Sequence, residues 1–181
     1  VGYFLVADHR FLFPLSIFAG IGVDLFLFLS GFGLTASALR RPLSVGTFYA
    51  RRLLKLFILL WISVAFFLLL DHSVLHISYA WAFVGQSIAG IFAHADIYKD
   101  LNSPLWYFTL ILLYYLAFPL VFSNKYPWLS ALALLVLGRL FVALKPDFFS
   151  GVIGLYSVHM TAFPLGLLAA WILERREARI I

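Results

Sequence analysis

The chain has 181 residues, of which 64% are hydrophobic and 12% charged, against about 45–50% and about 25% in globular domains, so it reads as a membrane protein. The absence of Cys excludes disulfides, thiolate catalysis and Cys-ligated metal. A formal charge of +5 gathers at the ends of apolar runs, where membrane topology uses it, and is too thinly spread for a nucleic-acid footprint.

At about 20 residues per crossing, the length holds about six or seven spanning or re-entrant helices. The expected fold class is all-α, a polytopic transmembrane helix bundle forming a single membrane domain over residues 1–181. Val1–Ala7 opens inside an apolar run that is too short to span and lacks the basic flank of a signal peptide. With Ile180 and Ile181 following a charged run, the expectation is an internal fragment of a longer protein.

Val1–Leu15 reads as the end of a first helix that passes through Asp8, His9 and Arg10 and stops at Pro14. Ile17–Leu39 is a span with one charge, Asp24, and with Gly20, Gly22, Ser30, Gly31, Gly33 and Thr35 as sites where another helix can come close. Arg40, Arg41 and Pro42 end it, and Ser44 or Thr47 is suited to cap the next segment. Phe48–Leu70 then begins basic and turns wholly apolar. Five of the thirteen basic residues fall between Arg40 and Lys55, which makes this loop cytoplasmic by the positive-inside rule.

Asp71–His76 is a polar connection on the far side, and Val74–Ala93, interrupted by Gln86, either spans or re-enters. His94–Pro104 is the most polar loop. Leu105–Phe122 is a strong span that opens with Trp106 and Tyr107 at the expected headgroup level. Trp128–Leu144 and Val152–Leu173 are two more spans, separated by Lys145, Pro146 and Asp147, before the charged exit Glu174–Arg179. If Val74–Ala93 does not cross, both basic clusters fall on one side, which the positive-inside rule favours.

Four sets of residues are candidates for chemistry. Asp24 lies about 10 Å into its helix at 1.5 Å per residue, and an acid at that depth costs roughly 2.5–3.5 kcal/mol, so it faces protein or water. Its role is either functional or a structural bond to another helix. His9 has the chemistry of a general base, and its alternative is an interfacial spectator. Arg51 and Lys55 share one helix face, with Arg52 beside them; phosphate recognition is one use, and topology or anionic-lipid contact the other. Arg139 and His159 also sit inside spans, where they either line a cavity with Asp24 or, for His159, form a satisfied core histidine. Metalloprotease, serine-hydrolase and nucleotide-fold signatures are absent from the sequence.

GVDLFLFLSGF (Gly22–Phe32), FYARRLLK (Phe48–Lys55), LWYFTLILLYYLAFP (Leu105–Pro119) and, more weakly, FPLGLLAAW (Phe163–Trp171) together resemble the acyltransferase 3 family of membrane enzymes. The resemblance implies an integral-membrane O-acyltransferase of the bacterial plasma membrane, with about ten spanning helices in the intact family member. It moves an acyl group, typically acetyl, from acyl-CoA to a hydroxyl of a carbohydrate or other cell-envelope acceptor. No permanently bound cofactor is implied; acyl-CoA (acetyl-CoA) is the donor substrate, and membrane lipids are the remaining partners. His9 stands where the family places its catalytic base, Asp24 belongs to the second-helix signature, and Arg51, Arg52 and Lys55 match the motif associated with the donor. The chain departs from the pattern where members often have Arg (Lys55), Pro (Ile58) and, in the middle helix, an acid (Ile111). Two other readings stay open at this point: a transporter or lipid-carrier flippase with Asp24, Arg139 and His159 along its path, and a non-catalytic homologue.

Overall fold

The computed structural model describes residues 13–41, 44–93 and 105–177. They form seven α-helices and, among the described residues, no strand: α1 (Phe13–Arg40), α2 (Val45–Leu70), α3 (Trp81–Ile88), α4 (Trp106–Val121), α5 (Pro127–Leu144), α6 (Ile153–His159) and α7 (Ala162–Glu177). Four stretches are long and apolar enough to cross a membrane, namely Gly20–Arg40, Val45–Val74, Pro127–Leu144 and Ile153–Arg175, so the protein is a membrane protein with the all-helical fold class expected.

Helix boundaries follow local chemistry, with several departures from expectation. Pro14 stands inside the first turn of α1 instead of before it; in a first turn its missing N–H is one that no helix would satisfy, so it is tolerated. Ser44 occupies the N-cap of α2 in extended conformation, but its hydroxyl makes no capping bond; its carbonyl accepts the Phe48 N–H instead. The expected single span Val152–Leu173 is broken at Met160 and Thr161. Pro164 explains the break: a continuous helix would need its absent N–H to bond the Met160 carbonyl, whereas restarting at Ala162 puts Pro164 into a first turn.

Val74–Ala93 does not cross. Its only helix, α3, has eight residues, about 12 Å at 1.5 Å per residue against a hydrocarbon core of about 30 Å. α4, expected as a strong span, has 16 residues and is buried at ten of them, Ile111 completely. Trp106, expected at the headgroups, is buried with its ring 6.2 Å from that of Tyr156.

The chain divides into two compact units. In the one that holds α2, α3 and α4, Leu60 and Val64 of α2 meet Phe108 and Leu112 of α4 and Phe92 in a common apolar core. The turn after α3 needs its glycine: Gly90 has φ +73°, and a Cβ there would run into the Phe108 ring. Thr109 of α4 fixes this turn by accepting the Phe92 N–H at 2.7 Å and donating to the Gly90 carbonyl at 2.9 Å. Trp61 of α2 donates its indole N–H to the Ile88 carbonyl at 2.9 Å. Tyr79, at the other end of the segment, donates to the buried Asp71 carboxylate at 2.7 Å. The Thr109 and Trp61 bonds supply partners that a non-helical backbone requires where lipid offers none.

The other unit is dominated by α1 packed along α7. Asp24 meets His159 and Arg40 meets Glu174, so the contacts advance together along the sequence and the two helices run in the same direction. Between these rungs the backbones nearly touch. A Cβ on Gly31 would collide with the Phe163 carbonyl, and one on Gly166 with the Phe28 carbonyl, so small residues set the helix separation. Gly31 is thus one of the close-approach positions expected from the sequence, while Gly22 and Gly33 face open space. Because Arg40 pairs with Glu174 at 2.7 Å, the basic turn Arg40–Arg41 and the exit at Arg175 leave at one end of this helix pair, as in the topology where Val74–Ala93 does not cross.

Candidate functional site

Asp24 is carried by α1 and His159 by the last position of α6, immediately before the break that Pro164 forces. The imidazole Nδ1 lies 2.8 Å from Asp24 Oδ1. An ionised carboxylate only accepts, so in the neutral imidazole Nδ1 carries the proton and donates it to Asp24, leaving the lone pair on Nε2. The two members are unequally enclosed: the His159 side chain is 9% exposed and that of Asp24 46%. One turn before Asp24, Gly20 lies beside the ring, where a Cβ would be in ordinary van der Waals contact with His159 Cε1 at 3.6 Å. Met160, the residue at the break, is buried, so the irregular backbone is covered by protein.

Both expectations for these two residues therefore meet in one contact. Asp24 is bonded to another helix, and His159 is a buried, partnered histidine. The sequence grouped the two along one cavity but not in direct contact, since the residues are 135 positions apart; the signal available was that each is an ionisable group in an otherwise apolar run. Arg139, grouped with them in one sequence-based reading, is exposed, and among the described residues no ion pair joins it to Asp24.

Arg51, Arg52 and Lys55 lie in the second and third turns of α2, all exposed, and continue into the exposed apolar residues Ile58, Leu59 and Ile62. The opposite face, Phe48, Leu60 and Val64, is buried. Phe48 stacks on Phe118 of α4 with ring centroids 5.9 Å apart, and Tyr49 donates to the Leu116 carbonyl at 2.7 Å. These contacts orient the start of α2 so that its three cations point outward. Among the described residues no carboxylate pairs with any of them, so their charge is available to an anion. Ile58 and Ile111 separate in environment: the first is exposed and the second lies in the fully buried interior of α4.

His9, expected as the base, lies outside the described residues. No group of three or more metal-ligating side chains occurs among the described residues.

A family model described as an acyltransferase domain, that of the acyltransferase 3 family, matches residues 1–180. No curated protein and no solved structure matches the chain. An all-helical membrane fold, an acid and an imidazole joined inside it, an unpaired basic cluster opening a span, and a family match over essentially the whole length agree with one another: the chain belongs to the acyltransferase 3 family and is an O-acyltransferase domain.

Proposed function

We propose that the protein transfers an acyl group, most simply acetyl, from acyl-CoA to a hydroxyl of a carbohydrate or other cell-envelope acceptor at the bacterial plasma membrane. The observation that carries the donor half is the set of three exposed cations, Arg51, Arg52 and Lys55, without carboxylate partners among the described residues. Guanidinium groups bind phosphate oxygens bidentately, and phosphates are what acyl-CoA presents at a membrane surface. The exposed apolar residues that follow on α2 suit the acyl and pantetheine end better than they suit water.

His9 takes the proton from the acceptor hydroxyl as its oxygen attacks the thioester carbonyl carbon. The C–S bond breaks, an ester forms, and the proton passes to the departing thiolate to give free CoA. Base assistance of this kind contributes typically about 10²- to 10⁴-fold. Asp24, bonded to His159, holds the helices around the acceptor.

The test incubates membranes containing the full-length protein with labelled acetyl-CoA and follows label entering envelope material. His9→Ala is expected to lower transfer at least about 100-fold, and Arg51→Gln with Arg52→Gln to raise the KM for acetyl-CoA about tenfold or more. Unchanged transfer in His9→Ala at normal expression removes His9 from the mechanism. Substrate movement without acetyl-CoA consumption would point to transport instead.

A further inference from the structure

Asp24 presents two carboxylate oxygens, and His159 engages one of them. The remaining lone pairs belong to a side chain that is 46% exposed, while the histidine behind it is almost wholly enclosed. This is the arrangement of a buried group holding a more open one in place. Depth adds a second observation. Asp24 lies sixteen residues before Arg40, about 24 Å along α1 at 1.5 Å per residue, in a hydrocarbon core of about 30 Å. The pair therefore sits toward the end of the α1–α7 unit opposite the Arg40–Glu174 rung.

We infer that His159 is a positioning residue of the acyl-transfer site: its Nδ1–H fixes one oxygen of Asp24, so that the other accepts a hydrogen bond from the acceptor's hydroxyl. The inference rests on the acyl-transfer reading above and adds to it the residue that holds the acceptor-binding acid. An acceptor that donates O–H bonds, such as a sugar or other polyol, is the chemistry a half-open carboxylate selects, because an ionised carboxylate has acceptors alone. His159 forms no bond to the reacting atoms in this scheme. Without its donor the carboxylate loses its orientation, and a rotated Asp24 no longer meets the hydroxyl within hydrogen-bond reach.

Asparagine and leucine at position 159 separate this role from packing. An Asn amide nitrogen occupies the place of imidazole Nδ1 and still donates to Asp24; Leu fills a similar volume and cannot. Both variants are made in the full-length protein and compared as equal amounts of folded, monodisperse material, with label from acetyl-CoA into envelope acceptor as the readout. His159→Leu is expected to lose transfer tenfold or more, with the KM for acetyl-CoA unchanged, and His159→Asn to keep at least a third of it. If His159→Leu does not accumulate folded, His159→Met replaces it, because Met also fills the space and has no N–H to donate. Equal losses in the Asn and non-donating variants, or full transfer in both, overturn the proposal.

A second measurement needs no acceptor. These 181 residues contain no Cys, so with any cysteine elsewhere in the full-length protein replaced, Asp24→Cys is exposed to a small charged methanethiosulfonate added to either side of sealed vesicles. Modification from the side away from the Arg40–Arg41 turn is expected. No modification, or modification from the Arg40 side alone, contradicts the placement. Wild-type protein that leaves acetyl-CoA intact would instead defeat the acyl-transfer reading itself, whatever the labelling shows.

Discussion

Along α1 and α7 the polar side chains meet one another, Asp24 with His159 and Arg40 with Glu174. Around α2 and α4 they mostly meet backbone: Trp61 the Ile88 carbonyl, Tyr49 the Leu116 carbonyl, and Thr109 both Gly90 and Phe92, with Tyr79 on the Asp71 carboxylate as the side-chain pair that closes the segment before α3. The second pattern has a sufficient structural cause. A short helix and its turn leave carbonyls and N–H groups that lipid cannot satisfy, and each bond answers one of them. An acid joined to an imidazole answers no such need. Two apolar side chains would pack there without the roughly 2.5–3.5 kcal/mol that insertion of the acid costs. Polar groups that serve the backbone are explained by the fold, whereas the fold alone gives no reason for a carboxylate and an imidazole paired between α1 and α6.

The comparison breaks most sharply at the glycines between the rungs. Gly166→Val and Gly31→Val would each push a side chain into a carbonyl of the neighbouring helix, and backbone cannot repack as side chains do. The expected cost exceeds the about 1–3 kcal/mol usual for overpacking, read as loss of monodisperse protein on gel filtration. Gly33→Ala, facing open space, is expected to leave the yield intact. Equal tolerance at positions 31 and 33 would show that close approach does not set the helix spacing.

Thr109→Val should come next in size. It keeps the shape and strands the Phe92 N–H and the Gly90 carbonyl, each at about 1–3 kcal/mol. The expected result is a Tm lower by on the order of 5–10 °C, with acyl transfer preserved at temperatures where the protein stays folded. The smallest effect belongs to Arg40 and Glu174, whose side chains are 66% and 24% exposed. A double-mutant cycle with Ala at each should give a coupling of no more than about 1 kcal/mol, so this rung marks which helix ends lie together more than it stabilises them.

Much of the fold could be read along the chain, because membrane spans need little beyond length and apolarity. The Ile17–Leu39 and Phe48–Leu70 spans and the closeness of some helix to Gly31 follow from run length, charge and side-chain size, whereas for Val74–Ala93 run length left crossing and re-entry open and the positive-inside rule leaned to re-entry. The break after His159 was also written in the sequence as Pro164, but an apolar run that continues to Leu173 hides it, since hydropathy does not register a missing N–H. For Trp106, an aromatic residue at the start of a span suits a headgroup layer and an aromatic core alike, so its burial was not legible; the presence of Tyr156 beside it is a tertiary fact. For the candidate site, Asp24 announced itself by its charge. Its partner did not, since nothing local to His159 specifies an acid 135 residues away.

The claim that the acid and imidazole within α1 and α6 are there for chemistry is tested most directly by Asp24→Asn in the full-length protein, measuring Tm and label transfer from acetyl-CoA on the same preparation. Asn still accepts the His159 N–H, so the contact survives and the carboxylate charge alone is lost. The account predicts a Tm within about 3 °C of wild type, a change on the order of 1 kcal/mol, and transfer reduced about tenfold or more, the size of one lost hydrogen bond to a charged group. Wild-type transfer by a stably folded Asp24→Asn protein would contradict it and return the pair to a purely structural bond.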